Sequence, residues 1–98
     1  MNIPADQIIN RCLEFYDLPR DMVFSKSLKP EFVLPRQMTQ RMISKFTDMS
    51  SVEIAKEFNT TRCTVRVNIL KIDNLYDVNP KIRRQFIELS NQLEEMLP

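Results

Sequence analysis

Apolar residues recur at steps of three and four positions along most of the chain, the spacing of one face of an α-helix. The first such stretch predicts a helix over about 4–16, with Pro4 at its start, where an N–H has no helical partner. Its predicted core face is Ala5, Ile8, Ile9, Cys12, Leu13 and Tyr16. Pro19 then restarts the chain and predicts a short second helix that continues to about Val23.

A connector over 25–34 and a third helix over about 35–47 are predicted next. Pro30 interrupts the connector, and Pro35 marks the first turn of the helix. The predicted buried stripe recurs every four residues: Leu34, Met38, Met42 and Phe46. The opposite face is basic and polar, without an acidic residue: Arg36, Gln37, Gln40, Arg41, Ser44 and Lys45. Because solvated helices usually mix charges of both signs, this face suits an anionic partner.

Three further helices are predicted from their starting residues. Ser50 and Glu53 have the spacing of a capping box, which begins a helix over about 51–58. A helix over about 61–76 follows, and Asn79 caps a last helix whose first residue is Pro80. No stretch alternates as a strand would, so we expect an all-α fold, a six-helix bundle that forms a single domain over 1–98.

Composition narrows the possible functions. The chain has no Gly, which argues against phosphate-cradling loops, and no His, which excludes a histidine base and most zinc sites. We therefore expect no enzymatic activity, no metal and no cofactor. Cys12 and Cys63 are far apart, and the chain has neither a signal peptide nor an apolar run of membrane-spanning length. A reduced cytoplasmic protein is the expectation.

The charge is unevenly distributed along the chain. The overall net charge is +1, yet residues 26–71 contain nine basic and four acidic residues, while both flanking segments are net acidic. A basic middle between acidic flanks fits a surface that faces a polyanion.

The helices over 51–58 and 61–76 have the spacing of a helix-turn-helix. Ala55 is small where two helices cross closely, Asn59 tolerates the left-handed turn, and Val65 packs back under it. The second helix then presents its polar start to the major groove. Hydroxyls suit phosphate oxygens there, and Arg62 or Arg66 suits a bidentate contact to guanine. Cys63 and the threonine methyls suit a thymine methyl.

Several segments resemble the C-terminal DNA-binding domain of the bacterial chromosomal replication initiator DnaA. They are I-I-N-R-C-L-E-F-Y at 8–16, S-K at 25–26, P-R-Q at 35–37, T-D-M-S-S-V-E-I-A at 47–55, T-V at 64–65 and K-I-D-N-L at 71–75. The resemblance implies a Trp-repressor-like helical bundle that reads double-stranded DNA. It matches Arg36 to a DNA-contacting arginine, Thr64 to a signature threonine and Lys71 to a backbone-contacting lysine.

Two segments depart from the family pattern. N-T-T-R-C-T-V at 59–65 is one residue shorter than the family's G-G-R-D-H-T-T-V and lacks its Asp-His pair. K-S-L-K-P at 26–30 replaces a basic loop that in the family reaches the neighbouring minor groove of the DNA. Leu28 therefore falls where that loop has its arginine, with Lys29 nearby. We therefore expect altered sequence specificity. The predicted DNA-contacting residues are Lys29, Arg36, Arg41, Lys45, Thr60, Thr61, Arg62, Thr64, Arg66 and Lys71.

Double-stranded DNA is the expected partner, bound by a chain that is monomeric in solution. The same departures motivate an alternative, a protein-interaction adaptor that keeps the fold and docks a replication or regulatory protein. Methionines would then furnish an adaptable surface: Met22, Met38, Met42, Met49 and Met96.

Overall fold

The computed structural model describes residues 2–97, and this range contains six α-helices and no strand. The helices are α1 (Ala5–Tyr16), α2 (Arg20–Val23), α3 (Pro30–Phe46), α4 (Ser51–Glu57), α5 (Arg62–Val78) and α6 (Pro80–Glu94). The prediction of an all-α fold with six helices is confirmed. α3 runs through the middle of the bundle, with α1 packed on one side and α5 on another.

Local sequence signals begin α4 and α6 as predicted. At α4 both halves of the capping box form, since Ser50 Oγ accepts from the Glu53 amide and Glu53 Oε1 accepts from the Ser50 amide. Asn79 Oδ1 accepts from the amides at the start of α6, where Pro80 is the first residue. Asp17, at the end of α1, takes the left-handed conformation with φ 54°. These termini satisfy amides and carbonyls that a helix leaves unpaired.

The predicted start of the third helix is wrong. α3 begins at Pro30, after Lys29 in an extended conformation, and continues through Pro35. The connector is therefore only 25–29. Proline is favourable at the first helical position but lacks the N–H that position 35 would donate. Leu34 packs against the core and Pro35 is itself buried, so tertiary packing offsets the missing hydrogen bond.

One hydrophobic core joins all the helices. Its largest fully buried side chains come from the chain's start and from α1, α3, α4, α5 and α6: Ile3, Ile8, Ile9, Met38, Met42, Ile43, Ile54, Ile72, Leu89 and Leu93. Aromatic pairs extend it outward, with the rings of Tyr76 and Phe86 stacked edge to face at 5.0 Å. The core leaves the start of α5 and the connector at the surface, side by side.

Candidate nucleic-acid interface

α4 and α5 form the helix-turn-helix that the sequence predicts. Asn59 lies in the turn with φ 50°, in the left-handed region that Asn tolerates better than most residues. The Thr60 amide donates to the Ala55 carbonyl at 2.9 Å and closes the turn. Ala55 is 4% exposed and Val65 is fully buried, so the small side chain lets the helices cross closely, as predicted.

The start of α5 is an exposed, hydroxyl-rich and basic edge. Thr61 is the N-cap, and its Oγ1 accepts from the Thr64 amide at 3.2 Å. The two threonine hydroxyls lie 3.0 Å apart. Arg62 and Arg66 are exposed, one turn apart, and within residues 2–97 neither forms an ion pair. Their guanidinium groups are therefore available to an external anion.

The structure gives Thr61 and Thr60 different surroundings. Thr61 is exposed, whereas Thr60 is half-buried in the turn. Thr61 is predicted to contact DNA, and in the structure its side chain caps α5. Threonine is one of the residues preferred at the N-cap of a helix.

Arg36 holds the connector against the bundle. Its Nε donates to the Val23 carbonyl at 3.2 Å, and its Nη2 donates to the Ser27 carbonyl at 2.9 Å. Partial burial of the guanidinium lowers the pKa of Arg36. Arg36, predicted to contact DNA, therefore has a structural role that the sequence did not indicate.

Two further contacts tie the connector to the helix-turn-helix. Lys26 Nζ donates to the Asn59 carbonyl at 2.6 Å. Immediately before the connector, the ring of Phe24 packs against that of Phe58, with centroids 5.0 Å apart. Lys29 and Leu28 stay exposed, and Leu28 is 86% exposed. The connector is thus held next to the turn with its tip pointing to solvent.

A cleft of about 290 Å³ separates the connector from α5. Its walls include Leu28 from the connector, Arg36 from α3, and Thr60 and Thr64 from the helix-turn-helix. Three of the predicted DNA-contacting residues, Arg36, Thr60 and Thr64, therefore lie around one depression.

A chain of amide hydrogen bonds forms the inner wall of this cleft. Gln37 Nε2 donates to Asn68 Oδ1 at 3.2 Å, and Asn68 Nδ2 donates to Gln40 Oε1 at 2.9 Å. Gln40 is only 1% exposed, and its Nε2 has no hydrogen-bond partner among the described residues. The prediction that Gln40 lies on the polar outer face was wrong, because α5 packs over that part of α3.

Arg41 and Lys45 lie further along α3, where α5 and α6 cover it. Arg41 Nε pairs with Asp73 Oδ1 at 2.7 Å, and its guanidinium lies 5.5 Å from the centroid of Phe86. Lys45 Nζ lies 5.1 Å from the same ring and 3.4 Å from Ser90 Oγ. The basic face of α3 has no acidic residue of its own, but Asp73 of α5 supplies a carboxylate that pairs with Arg41.

Lys71 lies on the exposed side of α5, two turns after Thr64. The five methionines within residues 2–97 are buried or half-buried, so they expose little of the adaptable surface that the adaptor alternative would use. Cys12 is buried, Cys63 is exposed on α5, and both thiols are free. Each described helix is too short or too polar to cross a lipid bilayer.

A helix-turn-helix with a basic, hydroxyl-rich second helix defines a class of DNA-binding domain. A family model described as the bacterial dnaA protein helix-turn-helix matches residues 5–72, and the chain belongs to this family. Among curated proteins it is similar to the chromosomal replication initiator protein DnaA of Oleidesulfovibrio alaskensis, at 28% identity over 92 residues. That match covers 94% of this chain and 20% of the relative, so the chain spans about a fifth of the relative's length.

Proposed function

We propose that this domain binds double-stranded DNA by placing the start of α5 in the major groove. The observation that carries the proposal is the pair Arg62 and Arg66, both exposed and without an ion pair within the described residues. An α-helix fits the width of the major groove, and arginine pairs bidentately with guanine O6 and N7 there.

The exposed threonines and lysines support phosphate contacts around this helix. Thr61 and Thr64 present hydroxyls at its N-terminus, where backbone dipoles also favour an anion. Lys71 on one side of α5 and Lys29 at the connector extend the basic surface to both sides of the cleft. Arg36 contributes mainly by holding the connector beside the groove.

Arg41 and Lys45 have a smaller part in this proposal than the sequence suggested. Arg41 is neutralised by Asp73, and Lys45 packs over aromatic rings near α6. Because a phosphate would have to compete with those contacts, we assign both residues to long-range attraction and to stability.

We further propose that the domain's sequence specificity differs from that of its family. The segment N-T-T-R-C-T-V occupies the leading edge of α5, where base contacts are made. The connector tip presents Leu28 rather than an arginine to the neighbouring groove. Both differences lie where a protein reads bases rather than phosphates.

Fluorescence anisotropy with labelled random-sequence duplex, at two salt concentrations, tests the binding itself. Neutralising several phosphates releases counterions, so affinity should fall steeply as salt rises. Absence of binding at low salt, or affinity that is independent of salt, would contradict the proposal.

Matched variants test the roles of individual residues. Selection from random duplexes supplies a preferred site, and Arg62→Ala should lose about 1–3 kcal/mol of the preference for it over random DNA. Lys29→Ala should weaken binding to both duplexes equally, because a phosphate contact carries no sequence information. Arg84 is exposed on α6, so Arg84→Ala is the charge-matched control and should change the affinity for either duplex little. Equal losses of preference for Arg62→Ala and Lys29→Ala would remove Arg62 as a base reader.

A further inference from the structure

The face of α5 turned away from the core is an uncharged, largely apolar stripe. It is formed by exposed residues three or four positions apart: Cys63, Val67, Leu70, Asn74 and Val78. Val67 is 62% exposed and Leu70 is 59% exposed. The outer face of a surface helix is normally polar or charged, so an apolar stripe there points to a surface that a partner covers.

The charges beside this stripe change sign along the helix. Arg62 and Arg66 flank its first half on one side, and Lys71, just past the middle of the helix, lies on the other. The carboxylates of Asp73 and Asp77 lie only in the second half. A polyanion would therefore approach the first half of α5, which contains Val67 and Leu70. At the other end Asp73 is paired with Arg41, and Arg83 donates to the Asp77 carbonyl. Opposite charges balance there, so that end gives no comparable attraction.

Basic flanks around an apolar centre match the major groove of DNA. Its edges are phosphate backbones, within reach of Lys71. Its floor displays the guanine O6 and N7 atoms proposed above as contacts of Arg62 and Arg66, and one apolar group, the 5-methyl group of thymine. Val67 lies one turn after Cys63 on the same face as the leading edge of the helix. With Arg62 and Arg66 in the groove, Val67 and Leu70 would lie over the next positions of the groove floor.

We propose that Val67 and Leu70 read thymine 5-methyl groups, so that the preferred ligand is duplex DNA with thymines in the major groove beneath α5. This inference rests on the proposed function and names the class of sequence that the same surface selects. Neither residue contributes to the core, and each is exposed by more than half. Polar substitutions there test recognition without removing buried packing.

Replacement of thymine by deoxyuridine is the direct test. The best duplex from a selection on random sequences is made with thymine and again with deoxyuridine, which keeps base pairing and removes only the methyl group. Anisotropy titrations should show affinity reduced about fourfold for each contacted methyl group, the effect of losing one buried carbon. Deoxyuridine placed outside the selected motif is the control and should leave affinity unchanged.

Protein variants then assign the effect to the stripe. Val67→Ser and Leu70→Ser should weaken binding to the thymine duplex and should reduce the thymine-to-deoxyuridine affinity ratio toward one, since contacting groups are coupled. Val78→Ser makes the same kind of change in the same stripe, at 78% exposure but beside Asp77. That variant should retain the full ratio.

Each contrary outcome identifies which proposal fails. Equal affinity for both duplexes, a selected motif without thymine, or an unchanged ratio in Val67→Ser and Leu70→Ser would overturn this inference and leave DNA binding intact. Sedimentation that shows a dimer abolished by Val67→Ser would also overturn it, because the stripe would then be covered by a second copy. Failure to bind any duplex at low salt would overturn the proposed function itself.

Discussion

The N-cap of α5 allows a quantitative test of how the proposed reading helix is held in place. Thr61→Ala removes the oxygen that accepts from the Thr64 amide at 3.2 Å. Loss of a threonine cap typically costs about 1 kcal/mol. The hydroxyl is exposed, so water replaces part of the bond and we expect no more than that. Unfolding entropy of about 2.1 cal/mol/K per residue amounts to about 0.2 kcal/mol/K for 98 residues. The melting temperature should therefore fall by about 5 °C.

Urea denaturation and thermal melting, both followed by far-ultraviolet circular dichroism, measure this change. Thr61→Ser keeps an accepting hydroxyl and should retain most of the stability. Thr64→Ala is the matched control, since it removes the hydroxyl contact of 3.0 Å but keeps the amide that donates to Thr61. The reasoning is refuted if Thr61→Ala is no more destabilising than Thr64→Ala, or if Thr61→Ser loses as much stability as Thr61→Ala.

Other features of the fold give further predictions. Ala55→Leu should destabilise the domain by about 1–3 kcal/mol by overpacking the α4–α5 crossing; chemical denaturation checks this, and an unchanged midpoint would contradict the close crossing. At pH 8 a thiol reagent should modify exposed Cys63 in the native protein and leave buried Cys12 unreacted until unfolding; rapid labelling of both thiols would refute this. Burial raises the pKa of Cys12 from 9.0 to about 12, so the unfolded chain releases this proton first and stability falls as pH rises above 9. The loss should be on the order of 1 kcal/mol at pH 10, and a Cys12→Ala variant with the same pH dependence would contradict the assignment.

The helix-turn-helix was predictable because its signals are local. The capping box of Ser50 and Glu53, the left-handed Asn59 and the small Ala55 act on neighbouring backbone. Their effects depend on spacings of a few residues, which a sequence displays directly. The apolar stripe of α5 was equally visible in the spacing of Val67 and Leu70. That spacing does not reveal an exposed stripe, because an exposed apolar residue cannot be told from a buried one until the helix has been placed on the core.

The partners of the arginines on α3 were not predictable. Arg36 contacts the Val23 carbonyl 13 residues away, and Arg41 pairs with Asp73, which is 32 residues away. Residues so far apart in the sequence come into contact only when the connector and α5 pack against α3. The sequence indicated an arginine-bearing polar face, but which of its residues stay free for DNA depends on that packing.

Six helices, their main capping residues and the position of the helix-turn-helix are predictable from the sequence, since each follows from hydrophobic period and local hydrogen bonding. The tertiary structure alone decided that α3 continues through Pro35, that Gln40 is buried and that Arg41 is neutralised. Each of these depends on contacts between segments distant in the chain, where burial and charge pairing override local preference. Packing therefore separates Arg36 and Arg41 on α3, which hold segments of the fold together, from Arg62 and Arg66, which remain exposed at the start of α5.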